Sequence, residues 1–398
     1  MMTKLQPVLA RPPRPQTSET QSYPQTPFRT PRTLQSPPST PPGRPPNTPL
    51  TRISPGLSDL SPDPPEPELS SVSNRETGDT DADSTWEDEA SSTCSLTGSI
   101  LSQEERHGRL FEKWKGSYIY PIDDKEYQRY HVLHKASIHG LQDRLFLAPI
   151  DHNWHRLVFD IGSGNGDWMD DFAMEYTSTE VVGCDISPPP PWCEWLPPNA
   201  RFLLADIEDE VDHWLPGRQI DFIHDRHMAG SIKDWPRLLK RCYDNLAPAG
   251  LLECQEIDYT LRSDDDTIGN DNPLDQLLRG LTKAHEKIGY PLNLAPLLGE
   301  WMRNAGFHCV VERKIKLPIG IWPKDGLLKE IGALMATNFH EGADALTAKP
   351  FRDVLGWSDG EVEVLKAKIR GEAQRASKGS GVHSYLYFFV VTAEKPMG

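Results

Sequence analysis

The sequence predicts an α/β fold: a mostly parallel sheet with helices on both faces, preceded by a long disordered tail. Three observations carry that expectation. Between residues 156 and 258, short apolar runs alternate with amphipathic stretches, the pattern of a parallel sheet covered on both sides. One such run, Leu157–Ile161, leads straight into Gly162, Gly164 and Gly166. Roughly half of the 37 prolines lie before residue 70, mixed with Ser, Thr and Gln. A segment so poor in large apolar groups cannot offset its ordering entropy.

The chain divides into a tail (1–100), a helical cap (101–155), a sheet core (156–258) and a C-terminal part with further helices and the last strands (259–398). The tail is basic in its first half and acidic in its second. Thr26, Thr30, Ser36, Thr40, Thr48, Ser54 and Ser61 each precede a proline. Those dipeptides read equally as proline-directed phosphorylation sites and as the chance product of a Pro/Ser/Thr-rich linker. A Ser-x-x-Glu capping box, Ser102 with Glu105, predicts a first helix, and a second starts at Asp123 with Tyr127, Tyr130, Leu133 and His134 on one face.

Strands are expected at "RLVFDI", "EVVGCDI", "RFLLADI", "IDFIHD" and "LLECQEI". "DWMDDFAMEY" and "WPRLLKRCYDNL" form helices between them, the latter ending in a Pro-Ala-Gly turn. Three further helices, starting at "NPLDQLL", "LAPLLGE" and "DGLLKEI", surround the strand "FHCVVERKIKLPIG". "SDGEVEVLKAKIRGEAQRA" is a helix charged to suit its dipole, and "HSYLYFFVVTAEK" closes the sheet.

Bulk properties narrow the function. A net charge of −16 disfavours direct nucleic-acid binding, which needs a basic face. The N-terminus lacks an apolar signal segment, and no run reaches the ~18 apolar residues of a membrane span. The six cysteines show no C-x-x-C pair and no zinc-type spacing, so no metal is expected. A non-secreted protein, cytoplasmic or nuclear, follows.

The glycines point to a ligand. A doubly wound sheet binds at the carboxyl ends of its strands, and glycine lets the backbone turn sharply and lie against the ligand. The run Asp160-Ile161-Gly162-Ser163-Gly164-Asn165-Gly166 is one residue tighter than the dinucleotide fingerprint and lacks the Gly-Lys-Ser/Thr of a phosphate loop. Asp167, Asp170 and Asp171 in the next helical turn would repel a pyrophosphate. Asp185, ending the second strand, suits both hydroxyls of a ribose. Asp206, ending the third, suits an exocyclic amine, with Ile207 against the purine. A nucleoside without phosphates and with a cationic end is S-adenosylmethionine. Asp185 and Asp206 also read as plain strand-end caps.

The ordered segments "VFDIGSGNG", "VVGCDISP", "FLLADIED", "DFIHDRHM" and "LAPAGLLECQE" resemble the motifs of Rossmann-like class I methyltransferases. "DRHMAGSIKDWPRLLKRCYDNLAPAGLLECQEID" and "LGWSDGEVEVL…VHSYLYFFVVTAEKP" are similar to the LaeA-like fungal methyltransferases, over roughly residues 104 to 396. The resemblance implies a seven-stranded sheet with an antiparallel last strand, and S-adenosylmethionine contacts at Gly162, Gly164, Asp185 and Asp206, with Asp160 positioning the methionine end. It implies a place in fungal secondary metabolism. The alternatives there are methylation of O or N on a small-molecule acceptor, and nuclear regulation through a velvet-type protein partner.

Methyl transfer needs little beyond in-line positioning; a base helps only an acceptor that must lose a proton. His224, Asp225 and His227 are expected to face the methyl group. His227 is the candidate general base, with simple packing as the competing role. Asp225 with Arg226 also reads as a solvated pair. A roof of Trp114, Tyr118, Tyr120, Tyr290, Trp301 and Trp322 is expected over the acceptor, and Trp192 or Trp195 in "PPPPWCEWLPP" over the adenine.

Overall fold

The computed structural model describes residues 103–113, 118–150, 156–188, 196–209 and 213–397. The expected tail, Ser102, Trp114, Trp192 and Trp195 lie outside the described residues.

The expected first helix is a hairpin, β1 (Gln103–Arg106) paired antiparallel with β2 (Arg109–Glu112). The reason is local. His107 and Gly108 have φ of 52° and 69°, the two-residue turn whose twist matches paired strands. Alternation then buries Phe111 completely. Arg109 Nη2 donates to Asp123 Oδ1 at 2.7 Å, tying the hairpin to the cap of the next helix. That helix, α1 (Asp124–Gly140), begins where the Asp123 carboxylate accepts from Glu126 N–H at 3.1 Å.

The sheet alternates with helices as the sequence predicts. In chain order come β3 (Leu157–Ile161), α2 (Asp167–Glu175), β4 (Glu180–Asp185), β5 (Ala200–Leu204), β6 (Ile220–Arg226), α3 (Trp235–Asn245) and β7 (Leu246–Ser263). After them come α4 (Pro273–Ile288), α5 (Leu298–Ala305), β8 (His308–Ile319), α6 (Gly326–Thr347), α7 (Asp359–Ala376) and β9 (Ser384–Glu394). The sheet order is β5-β4-β3-β6-β7-β9-β8, seven strands, with β9 antiparallel to both of its neighbours. The chain therefore reverses direction across the sheet beside β3, and a crevice opens at the carboxyl ends there.

Two details differ from expectation. β5 stops at Leu204, so Asp206 stands just past its end. The Pro-Ala-Gly turn is absorbed into β7 as a bulge: Ile220 pairs with Leu246 but Phe222 with Leu251, and Ala249 turns at φ 58°. Among the described residues no helix is long and apolar enough to cross a membrane.

The C-terminal part depends on one close approach. Gly320, just after β8, donates its N–H to the Gly332 carbonyl in α6 at 2.8 Å. A Cβ on Gly332 would sit 1.9 Å from the Gly320 oxygen, backbone against backbone. Gly332→Ala is expected to cost about 1–3 kcal/mol in chemical denaturation. Gly326→Ala, in the same helix with nothing within 4 Å, should hold or raise stability by up to ~1 kcal/mol; equal losses would refute the packing account.

Candidate functional site

The turn after β3 is built from left-handed backbone. Gly162, Gly164 and Gly166 have φ of 69°, 55° and 84°, a region L side chains rarely adopt. A Cβ on Gly162 would stand 2.0 Å from Met228 Sδ. The turn is fastened to β4: Gly162 and Ser163 N–H both donate to the Cys184 carbonyl, at 2.8 and 3.1 Å. Gly164 N–H donates to Asp185 Oδ2 at 2.9 Å, and Ser187 N–H to Asp185 Oδ1 at 2.9 Å. Burial raises the Asp185 pKa, opposed by those two amides. The carboxylate keeps acceptor capacity after these amides are counted.

A crevice with about 1130 Å3 of empty space, counted out to its mouth, lies over this turn. Asp160, Gly162, Gly164, Asp185, Asp206, Ile207 and His227 all line it. Gly166 does not; it caps α2 beneath. The Asp206 carboxylate accepts from Glu208 N–H at 2.8 Å.

Asp160, buried, takes His224 Nδ1 at 2.7 Å on Oδ1, while Oδ2 has no hydrogen-bond partner among the described residues. The His224 ring stacks on Trp168 with centroids 3.7 Å apart. Burial lowers the His224 pKa against the pull of Asp160. Arg226 also lines the crevice; its Nη1 is buried without a partner among the described residues. Its Nη2 donates to His134 Nδ1 at 2.6 Å, and His134 Nε2 donates to Asp171 Oδ2 at 2.9 Å. An imidazole that accepts on one nitrogen and donates on the other is neutral, in line with a pKa lowered chiefly by burial. Arg226 is thus no part of a solvated pair, and burial brings its pKa down to about 10.

Asp225 does not face the crevice. Side chains alternate along a strand, so with His224 and Arg226 toward the ligand side Asp225 points away, buried beside Glu256 and Cys254. Glu256 holds the loop after β6, accepting from Met228 N–H at 2.6 Å and Ala229 N–H at 3.1 Å.

His227 has φ 60° and an informative hydrogen bond. Ser137 Oγ gives its proton to the Leu133 carbonyl at 2.9 Å. The contact between Ser137 Oγ and His227 Nε2 at 3.1 Å therefore has the imidazole as donor. Nδ1 then carries the lone pair, and it has no partner among the described residues. Burial first, then the cations Arg226 and Arg129, push the His227 pKa well below its ordinary value.

Behind His227 lies a second cavity, smaller than the first, with which it shares Tyr118, Tyr130, Leu133, His227 and Ser231. Its far walls combine Ile257, Leu278, Leu281, Met335, Phe339 and Leu386 with the polar groups of Arg129, Tyr259 and Asn338. Of the expected roof, Tyr118 and Tyr120 line it, while Tyr290, Trp301 and Trp322 do not; Trp322 instead donates to the Ser384 carbonyl at 3.2 Å. Met228, Ser187, Tyr127 and Tyr130 also line the crevice; no sequence pattern marks the first two, and the helical spacing of the two tyrosines reads as a packing stripe.

A family model described as a methyltransferase domain matches residues 133–312. Methyltransferase pytC of Aspergillus terreus is 41% identical over 79% of this chain and 95% of its own length. This chain belongs to the LaeA-like methyltransferase family. Other relatives carry both kinds of name. Secondary metabolism regulator LAE1 of Cochliobolus heterostrophus is 30% identical over 73% of this chain and 94% of its own. Probable methyltransferase tdiE of Emericella nidulans is 31% identical over 69% and 83%. Among solved structures, Haemonchus contortus phosphoethanolamine N-methyltransferase 2 with S-adenosyl-L-methionine aligns over 68% of this chain and 52% of its own at 16% identity and a TM-score of 0.36, too loose a likeness to bear on activity.

S-adenosylmethionine is the cofactor of this methyltransferase, and the crevice fits it. An orphaned acceptor, Asp160 Oδ2, and an orphaned donor, Arg226 Nη1, suit the ammonium and carboxylate of an amino-acid end.

The Asp225–Glu256 pair makes stability depend on pH. Burial raises the Asp225 pKa to about 7, and burial with the Asp225 charge raises that of Glu256. A carboxyl with a raised folded pKa stabilises fully below its unfolded value, and that contribution is lost as pH rises through the folded value. Asp225→Asn should therefore gain on the wild type by about 2–4 kcal/mol between pH 4 and pH 8, followed by urea denaturation; a difference independent of pH would refute the assignment.

Proposed function

We propose that this chain transfers a methyl group from S-adenosylmethionine to an oxygen or nitrogen of a small organic acceptor in fungal secondary metabolism. The observation that carries this is the second cavity: a chamber of aliphatic and aromatic side chains with a few polar groups, the make-up of a ligand pocket, sharing His227 with the cofactor crevice.

The cofactor supplies an electrophilic methyl on a sulfonium that leaves neutral and needs no acid. Asp185 offers its remaining lone pairs to two ribose hydroxyls. Asp206 takes the purine amine and Ile207 flanks the ring. Asp160 Oδ2 and Arg226 Nη1 take the methionine end, and the backbone of Gly162 and Gly164 leaves room for it. His227 lines both spaces, and its unpartnered Nδ1 accepts the proton of the acceptor. Burial makes this ring a weak base, so an acidic hydroxyl suits it better than an aliphatic alcohol. The net charge of −16 argues against nucleic acid as the acceptor.

A second reading is a nuclear regulator acting through a velvet-type partner. The likeness to LAE1 over 94% of that protein favours it; the higher identity to pytC favours the enzyme.

The test is transfer of labelled methyl from S-adenosylmethionine into a small-molecule extract of a strain lacking this gene. Label in one low-mass product supports the enzyme; calorimetry showing tight NADH binding and no S-adenosylmethionine binding would overturn the cofactor site. Asp185→Ala should weaken S-adenosylmethionine binding about 10–100-fold. His227→Ala should leave that affinity unchanged and slow turnover about 10²–10⁴-fold. Since the imidazole pKa lies well below 6.5, kcat/KM should show no acid limb from this group near neutral pH; a limb close to pH 6.5 that vanishes in His227→Ala would refute the buried, cation-flanked assignment.

A further inference from the structure

β8 is the edge strand at the far end of the sheet from β5, four places from β3. Its first residue, His308, stands directly opposite Glu394, the last residue of β9. The next pairs in register are Val311 with Thr392, so three steps along β8 answer two along β9. One extra residue in an antiparallel ladder is a β-bulge, which re-aims a side chain. In a regular strand His308 and Cys309 would point to opposite faces. Cys309 instead has φ 50°, a left-handed conformation at which glycine is the ordinary choice. The bulge swings its thiol to the His308 side, with His308 Nδ1 and Cys309 Sγ 3.0 Å apart.

The result is one nitrogen, one sulfur and one carboxylate oxygen, all within 4.8 Å of one another. Cys309 is exposed and the other two are half-buried, so the cluster is open to solvent. Among the described residues Glu394 has no hydrogen-bond or ion-pair partner from a side chain, and the His308 ring has only the thiol. The neighbouring cation is turned away: Lys395 Nζ donates to the Leu246 carbonyl at 2.6 Å and lies over the Tyr243 ring. Among the described residues nothing else competes for the carboxylate.

We propose that His308, Cys309 and Glu394 bind a zinc-class divalent cation that clips the bulged start of the edge strand to β9. Mixed nitrogen and sulfur donors select that class over magnesium or calcium. Tetrahedral coordination with bonds of ~2.0–2.3 Å places donors about 3.3–3.8 Å apart, within reach of small side-chain adjustments here. Binding displaces the thiol proton to solvent, and three protein donors leave the fourth position to water. The site is separate from methyl transfer and does not depend on it.

The experiment is titration of the full-length, chelator-treated, reduced protein with Co2+ alone. One equivalent should produce thiolate-to-cobalt charge-transfer absorption in the near ultraviolet, which Zn2+ then bleaches. Cys309→Ser should abolish the band, and Glu394→Gln should weaken Co2+ binding at least tenfold. Cys94→Ser/Cys193→Ser should keep it; Cys184, Cys242 and Cys254 are buried. Zn2+ should raise the melting temperature of the wild type and not that of Cys309→Ser, whose far-ultraviolet circular dichroism should match the wild type. Absence of the band at stoichiometric Co2+, its survival in Cys309→Ser, its loss in the Cys94/Cys193 variant, or unchanged affinity in Glu394→Gln would each overturn the proposal.

Discussion

The molecule is organised by one backbone constraint, the left-handed turn that ends β3. A chain leaving a buried parallel strand must satisfy its amides before a helix can take over. Here the Cys184 carbonyl takes two of them and the Asp185 carboxylate a third. The turn thereby welds β3 to β4, and it leaves the first turn of α2 directed at the crevice. Met228 packs where a side chain on Gly162 would be, so the loop after β6 joins the same assembly. Three strand ends are locked together by a stretch of five residues, and the ligand site is the hollow they leave.

β6 then does two jobs with alternate residues. His224 and Arg226 face the crevice; Asp225, between them, faces the opposite layer and meets Glu256. Glu256 in turn holds the amides of Met228 and Ala229. The φ of 60° at His227 costs about 1–2 kcal/mol for a residue with a side chain, and it persists because the loop is clamped immediately after it. On the ligand side, Arg226, His134 and Asp171 form a continuous chain from β6 through α1 to α2. A second imidazole–carboxylate contact, His131 Nδ1 to Asp167 Oδ2 at 3.0 Å, runs parallel to it. The acidic first turn of α2 therefore docks the helix that roofs the site, beyond simply excluding phosphate.

Most of this architecture is legible in the sequence because it rests on local signals. Apolar runs of strand length, three alternate glycines and aspartates at strand ends are all short-range patterns, and every strand and helix from Asp123 onward follows them. What departs from these patterns has one local cause and several non-local ones. The Ser102–Glu105 spacing is a sound capping signal, yet the His107–Gly108 turn outweighs it, since β2 can bury Phe111 only as a strand. Asp225 was placed in the site because strand parity cannot be assigned until the first inward residue is known. Arg226 was read as solvated because its partner, His134, is 92 residues away. The His308–Cys309–Glu394 cluster has no sequence spacing at all; the register of β9 against β8 creates it.

The chemistry follows from burial as much as from residue type. A solvent-exposed imidazole is half protonated near pH 6.5 and would hold a fluctuating charge beside a sulfonium. Here the ring is enclosed, flanked by Arg226 and Arg129, and its Nε2 proton is committed to Ser137. The remaining lone pair on Nδ1 has a fixed direction and no partner among the described residues. Displacement at a sulfonium gains most from alignment of the nucleophile, and a neutral acceptor of hydrogen bonds aligns a hydroxyl without repelling the positive sulfur. The low basicity of His227 keeps the ring neutral: a more basic ring would be protonated, would lose the lone pair on Nδ1, and would place a third cation beside Arg226 and the cofactor.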